Sequence, residues 1–507
     1  MKILTANAIK AVDAKTIEYN EIFSHELMEM AARAFFYHFA SKYSCHTNVV
    51  TLFCGTGNNG GDGIAVARML HTVGYSVKLF IVEISNNYSD DCALNIERAE
   101  KAGVDITTIT SVDQIPSLDN VNVIIDAIFG TGLSRPLNGL AKDVLEIINR
   151  AQKIVVSLDI PSGLFMDKPT SLAINATETV TFQIPKLALF HPLNDQFVGL
   201  LSIVDIGLDS KAISEADTDM YYLTDASMAD KLVPLAKYSH KGTQGHALII
   251  GGSIGKIGSI TLALKAALKS GCGLVTALVP QCGVSVIQSS FPEAMVVQDK
   301  NQTHLSSISY DINPSAIAIG MGMGQHNDTK KALGLFLQNT SIPMVIDADA
   351  LNILADNYDW ISYLKPNTIL TPHPGELSRL IGNWDDDFHK VALTREFARK
   401  YNLIVVIKGA HSLIIDSNNL YVNSSGTPAL ATAGSGDVLS GIIAGLLAQG
   451  YEAIIATQLG IYIHGMTANI TSDTINARSF IASDIIDNIG KVYDRMNVVK
   501  NTDDLVL

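Results

Sequence analysis

Short apolar runs of strand length alternate along the chain with longer segments whose apolar residues recur every three or four positions. In the first half, 49–54, 77–82, 121–126, 154–159 and 179–183 read as strands, and 24–39, 63–73, 89–102 and 141–149 as helices. Gly74 and Gly103 supply helix stops. Leu27, Met30, Ala31, Ala34, Phe35 and His38 share one helical face behind Ser24 as a cap, an amino-terminal addition expected to pack on the sheet or on another subunit. In the second half, strands are expected at 247–250, 273–279, 317–320, 344–347, 368–371 and 404–408, with helices at 260–269, 388–400, 438–448 and 453–469. Strands that are apolar throughout belong to parallel sheets covered by helices on both faces, so both halves are expected to be α/β. The polar, acidic stretch 205–227 divides them into domains of 1–215 and 225–500.

Composition narrows the function classes. The chain has 507 residues, 47% apolar and 17% charged, with 38 Gly and 15 Pro, which excludes a disordered or collagen-like protein. Lys plus Arg is 36 against 50 Asp plus Glu, a net charge of −14, so no broad basic surface can neutralise a nucleic-acid backbone, and phosphates must be gripped locally. Five cysteines without a C-x-x-C pair argue against a disulfide framework or a zinc ribbon and fit a reducing cytosol. Lys2, Lys10, Asp13 and Lys15 interrupt any apolar stretch of signal-peptide length, and the apolar runs fall short of the roughly 18 residues of a membrane span. A soluble, cytoplasmic protein is expected.

Directly after the first strand, residues 55–63 read GTGNNGGDG, in which Gly55, Gly57 and Gly60 satisfy G-x-G-x-x-G between a strand and a helix. Glu83 ends the next strand at roughly the 20-residue distance of a ribose-binding acid, so a dehydrogenase with a Rossmann-like three-layer α/β/α domain is one reading. Asp62 opposes it, because a carboxylate at the start of the helix would repel the pyrophosphate that a helix amino terminus receives. Asp126 and Asp159 end two further strands at the edge where ligands of an open α/β sheet sit, although aspartates there also cap helices. Asn59, Asp126 and Ser162 could offer hard oxygen ligands to a group-one or group-two cation.

Together with DAIFGTGLSRP and DIPSG, in this order and spacing, the loop resembles the NAD(P)H-hydrate epimerase domain across roughly 1–215. The resemblance implies that Asn58, Asn59, Gly60, Gly61 and Asp62 hold the hydrated dinucleotide, aided by Gly130, Thr131, Gly132, Leu133, Ser134, Arg135, Pro136 and Asp159. It also implies potassium at Asn59, Asp126 and Ser162. Epimerisation requires proton movement with ring opening or hydroxyl exchange, and Asp159 is the candidate acid/base.

Near the carboxyl end, TAGSGD (432–437) runs into an apolar helix. Glycines let backbone amides converge and the helix terminus adds positive potential, so a migrating phosphoryl group could be stabilised there, with Asp437 as general base toward an attacking hydroxyl. KGAHS (408–412) and TPHPGE (371–376) end two other strands. Lys408 would suit a nucleotide phosphate, and His373, fixed between prolines, the second ligand. No P-loop motif occurs. Asp347 and Asp349 in DADALN could bind magnesium, but helix capping is their more ordinary role.

HALIIGGS, GMGMG, DADALN, TPHPGE, KGAHS and AGSGD in order resemble the ADP- or ATP-dependent NAD(P)H-hydrate dehydratase, of the ribokinase-like superfamily, over roughly 225–500. That resemblance implies a ribokinase-like α/β domain with magnesium. It places Lys408, Gly409, Ala410, His411, Ser412 and Gly436 around the adenine nucleotide, and Ser259, Gly324, His373 and Asp437 around the hydrate. Ser259 marks a departure, since Gly258-Ser259 stands where the family shows Gly-Ala. The implied chemistry is repair: phosphorylating the hydrate hydroxyl makes it a leaving group, and the ring nitrogen expels phosphate. A fused chain of this order favours ADP as donor, and the amino-terminal helices and low charge density suggest a homo-oligomer. Two rival readings stand: a fused dehydrogenase and small-molecule kinase, or a dehydratase whose first domain only binds.

Overall fold

Strands buried on both faces must lie inside a covered sheet, and the computed structural model, which describes residues 1–45 and 48–503, forms two such sheets. One compact unit holds residues 2–218 with 386–388; the other holds Met1, 219–385 and 389–507.

The strands of the first sheet are β1 (Val49–Cys54), β2 (Ser76–Val82), β3 (Ile106–Ile109), β4 (Val123–Ala127), β5 (Ile154–Leu158), β6 (Glu178–Phe182) and β7 (Leu200–Val204). They lie in the order β3-β2-β1-β4-β5-β6-β7, with every pairing parallel. Helices α1 (Ala6–Tyr19), α2 (Ser24–Lys42), α3 (Asn58–Thr72), α4 (Asp90–Lys101) and α5 (Gly139–Arg150) cover them. Strand order reverses between β1 and β4, so the loops leaving these strands border one crevice at their carboxyl ends.

Several boundaries differ from expectation. Helix α3 begins at Asn58 rather than at 63, because residue 60 folds back onto the chain: a Cβ at Gly60 would lie 1.8 Å from the Gly55 carbonyl oxygen. Ser24 is not the cap of α2. Phe23 takes that place, its amide bonded to Glu26 at 2.8 Å, while the Ser24 hydroxyl donates to Asp91 at 2.9 Å. Helix α1, capped by Thr5, was not anticipated; its mixed composition hides a narrow apolar face that packs on the helix Ser210–Glu215. Helix α2 packs on α3 and β7.

The second sheet comprises β8 (Met220–Tyr222), β9 (His246–Ile250), β10 (Leu274–Val279), β11 (Met295–Gln298), β12 (Ala316–Ile319), β13 (Met344–Ile346), β14 (Ile369–Leu370), β15 (Ile404–Ile407), β16 (Leu413–Ile415) and β17 (Leu420–Val422). Its order is β11-β10-β9-β12-β13-β14-β15-β16-β17-β8; β16 is antiparallel to both neighbours and the other pairings are parallel. The segment 205–227 is therefore no simple linker. It contributes an edge strand, where Tyr221 stacks on Tyr421 with ring centroids 5.5 Å apart, and two short helices. The helix Ser435–Ala448 lies so close to Ile257–Lys269 that a Cβ at Gly441 would meet the Ala263 carbonyl at 2.3 Å. That backbone contact fixes where its amino terminus points. Among the described residues, no helix is long and apolar enough to cross a membrane.

Candidate active sites

A cavity of about 890 Å³ opens at the carboxyl ends of β1 and β4. Asn58, Asn59, Asp62, Gly130, Thr131, Gly132, Leu133, Ser134, Arg135, Pro136 and Asp159 line it, as do Asp13 from α1 and Lys186. Gly60 and Gly61 lie outside the lining. A Cβ at Gly61 would meet the Met28 sulfur at 2.8 Å and one at Gly60 the Gly55 carbonyl oxygen at 1.8 Å, so both positions permit close packing. Glu83 is also outside the lining and accepts the Tyr88 hydroxyl at 3.0 Å, which removes the ribose-binding acid of the dehydrogenase reading.

Asp159 sits in the left-handed region at φ 66°, which aims its carboxylate back into the end of the sheet. Its Oδ1 accepts from Lys186 Nζ at 2.5 Å, the Phe182 amide at 3.0 Å and the Thr181 hydroxyl at 3.2 Å. Lys186 is only 1% exposed and also donates to Thr181 at 2.9 Å. Burial, followed by the negative charge of Asp159, pushes Asp13 up to about 6, with Lys186 opposing. Burial drives Asp62 well above the usual carboxylate range, and Asp159, Asp13 and Asp91 add to the effect. The cavity thus holds a lysine-bound carboxylate beside two acids that keep their protons to higher pH than a free carboxyl does.

Behind it, fully buried Asp126 accepts from Ser157 Oγ and the Ser162 amide, each at 2.8 Å, and from the Ile128 amide at 3.4 Å. Burial raises its pKa against these neutral donors. Ser162 Oγ accepts the Phe129 amide at 2.8 Å, and a Cβ on Gly130 would sit 3.2 Å from that of Asn59. The Asn59 Nδ2 is buried with no hydrogen-bond partner. Sheet and loop therefore bring Asn59, Asp126 and Ser162 into one neighbourhood.

In the second unit, Gly434 adopts φ 84° and caps the helix Ser435–Ala448, placing Gly436 and Asp437 in its first turn. His464, buried and lowered to about 4, bonds the Ser435 carbonyl at 3.0 Å and lies 3.1 Å from the Ser435 hydroxyl. A Cβ at Gly436 would lie 3.5 Å from Lys408 Nζ and 3.7 Å from Asp347 Oδ2. Lys408 bonds Asp347 Oδ1 at 2.9 Å and faces Glu376 at 3.9 Å; burial alone would lower it, but Asp347, Glu376 and Asp437 together hold it above its ordinary value. Ser440 donates to the other Asp347 oxygen at 2.7 Å. Burial pushes Asp437 up to about 6, the Ser259 hydroxyl pulling the other way.

The Gly324 amide donates to Asp349 at 2.8 Å, and Lys256 stands 3.5 Å from the same oxygen. His373 caps the helix Pro374–Ile381, its Nδ1 accepting the Gly375 amide at 3.0 Å and its Nε2 lying 3.2 Å from Glu376. Gly409, Ala410, His411 and Ser412 form the turn between β15 and β16, closed by Ser412 Oγ donating to the Gly409 carbonyl at 3.2 Å. Asp347 does cap the helix Ala348–Asp356 through the Ala348 amide, and it also organises Lys408 and Ser440.

Sequence reasoning did not single out Asp13, Lys186, Glu376, Ser440 or His464 as site residues. Lys186 carried a signal, being a cation inside the apolar run IPKLALF; Asp13 and His464 did not, since each sits on a helix whose orientation only packing decides.

A family profile described as NAD(P)H-hydrate dehydratase matches residues 247–491, and one described as YjeF-related protein N-terminus matches 24–188. The chain is 35% identical over 456 residues to a bifunctional NAD(P)H-hydrate repair enzyme of Moorella thermoacetica, covering 86% of each chain. It is 32% identical over 485 residues to that of Escherichia coli, covering 95% of this chain and 92% of the relative. A crystal structure of the ADP/ATP-dependent NAD(P)H-hydrate dehydratase of Bacillus subtilis, grown with ATP and magnesium, is similar at 27% identity and TM-score 0.48, over 55% of this chain and 100% of that one.

Proposed function

The chain belongs to the family of bifunctional NAD(P)H-hydrate repair enzymes, and from that premise we propose how its two sites divide the work. The first unit interconverts the R and S hydrates, and the second dehydrates the S epimer at the expense of ADP, or ATP, to give NAD(P)H, phosphate and AMP, or ADP. The observation that carries this reading is the meeting of Gly436, Asp437 and Lys408 at one helix amino terminus.

Asp437 takes the proton of the hydrate hydroxyl, whose oxygen attacks the terminal phosphorus while the bond to the nucleotide breaks. The first-turn amides and Lys408 stabilise the phosphoryl oxygens. The ring nitrogen then expels phosphate with the C–O bond, and loss of a proton from the adjacent ring carbon restores the dihydropyridine. Magnesium would neutralise phosphate charge; Asp349, partly exposed, would share it with the nucleotide phosphates. Residues 408–412 would flank the nucleotide, while Ser259, Gly324 and His373 would flank the hydrate.

In the first unit, Asp159, held by Lys186, moves the proton on the ring hydroxyl, with Asp13 and Asp62 as neighbouring acids. Potassium would fit beside Asn59, Asp126 and Ser162, because a buried carboxylate bonded by neutral donors and an unpartnered buried carboxamide, which turned over would present its oxygen, make a hard-oxygen set. Such an ion would hold the loop at Gly130 against α3. Exchanging potassium for lithium should slow epimerisation and leave dehydration unchanged.

The free thiols of Cys54, Cys92 and Cys272, all buried, support a cytoplasmic setting, and exposed Phe23 and Tyr37 on the amino-terminal helices support a homo-oligomer. The deciding measurement is recovery of reduced-nicotinamide absorbance from hydrated cofactor with ADP or ATP, in wild type and Asp437→Asn. Undiminished recovery in the variant would remove the general base.

A further inference from the structure

His304 lies in the loop between β11 and β12, while His326 and Asp328 stand at the start of the helix Asn327–Asn339. The two imidazoles stack, with centroids 3.8 Å apart and planes inclined by 28°. His304 Nε2 is 3.6 Å from Asp328 Oδ2, and His326 Nδ1 is 3.7 Å from the same oxygen. Both distances are too long for hydrogen bonds. The His304 Nε2 is buried with no hydrogen-bond partner, although a carboxylate faces it.

Two ligand atoms held about 2.0–2.1 Å from one ion at the tetrahedral angle lie roughly 3.4 Å apart; the two histidine–carboxylate spacings are 3.6 and 3.7 Å, and all three ligand atoms lie within 4.8 Å of one another. We infer that His304, His326 and Asp328 form a binding site for a borderline divalent transition cation such as zinc, with solvent in the fourth position. Two imidazoles and one carboxylate select zinc, cobalt or nickel over magnesium or calcium. His326 and Asp328 are half exposed, which gives the ion a way in.

The two segments that carry the ligands are tied together without any ion. Thr329 on the helix donates to the Leu305 carbonyl of the loop at 2.7 Å, tying the two ligand-bearing segments together. Asp299 accepts the Ser306 amide at 2.6 Å and the Ser307 hydroxyl at 2.7 Å, and Asn301 takes the Thr303 amide at 2.9 Å, so the loop is internally bonded. The Thr303 hydroxyl lies 3.1 Å from His304 Nδ1 and can accept its proton, which leaves Nε2 free to coordinate. The Asp328 amide reaches His326 Nδ1 at 3.3 Å, a long bond that coordination would replace.

The test uses the full chain, stripped with chelator and freed of it. Calorimetric titration with zinc should give one saturable equivalent in the wild type, at least tenfold weaker in His304→Ala and in Asp328→Asn, and unchanged in His25→Ala. Asp328→Asn replaces an exposed side chain by one of the same shape, so circular dichroism should be unaltered. Cobalt should give the intense visible bands of a four-coordinate ion in the wild type and lose them in His304→Ala. Absence of saturable uptake, or equal affinity and an unchanged cobalt spectrum in both variants, overturns the site.

Discussion

In the first glycine run, a Cβ at Gly60 would lie 1.8 Å from the Gly55 carbonyl oxygen, whereas at Gly436 in the second run the nearest foreign atom is Lys408 Nζ at 3.5 Å. The same residue type does opposite work in the two units. At residues 60 and 61 its smallness lets strand, helix and neighbouring side chains close up, while Asn58, Asn59 and Asp62 beside them line the cavity. At Gly436 the neighbours are instead the ends of polar side chains, Lys408 Nζ and Asp347 Oδ2, and no other backbone packs against it. The electrostatics differ accordingly. The first cavity gathers carboxylates around one buried lysine, a setting for moving protons; the second sets a lysine against a helix amino terminus, a setting for moving phosphate.

The comparison is broken most sharply by separating the activities. Asp437→Asn should lower dehydration by about 10²–10⁴-fold, the usual range for a lost general base, while purified R hydrate still equilibrates with S at the wild-type rate. Loss of both activities together would mean that the two sites do not act as described. Asp159→Asn should do the converse, slowing epimerisation by about 10²-fold and sparing dehydration of the S epimer.

Acid should weaken the second site through Asp437, which must be ionised to accept a proton. With its pKa raised to about 6, dehydration should hold level above neutrality and fall about tenfold per pH unit below about 6. Ser259→Ala removes the hydroxyl that favours the ionised form, so this acid limb should move to higher pH; an unmoved limb would leave Ser259 without influence on the base.

The smallest effect concerns stability. Asp13 has a folded-state pKa of about 6, above its unfolded value, so its contribution is present at acid pH and is lost as pH rises through about 6. Asp13→Asn should therefore stabilise the first unit at pH 7.5, by on the order of 1–3 kcal/mol, and be neutral near pH 4, as read by denaturant titration of the full chain. Equal effects at both pH values would point to packing instead of charge.

Much of this was legible without coordinates, because its cause is local. Buried strands are mostly apolar, so β1, β2, β5 and β15 stand out, and the helix Ser435–Ala448 follows from an apolar run behind glycine and serine. Helix α1 and strand β8 were hidden because their residues become buried or paired only against segments distant in sequence: the helix Ser210–Glu215 for α1 and β17 for β8. Site residues divide along the same line. Asp437 and Asp159 were marked by their position at the end of a glycine turn or a strand, whereas Lys186 and Glu376 acquire a role only through the partners that the fold brings to them.

The order of apolar runs, glycine turns and strand-ending acids by itself determined two α/β units and the residues at each strand end, because each of these depends on neighbours within a few positions. Only the tertiary structure decided that Gly60 packs against backbone while Gly436 borders Lys408 and Asp347, that Asp13 joins Asp159, and that Lys408 meets Asp347. Those outcomes depend on which backbone surfaces touch and which charges lose water together, and both are settled by segments far apart along the chain.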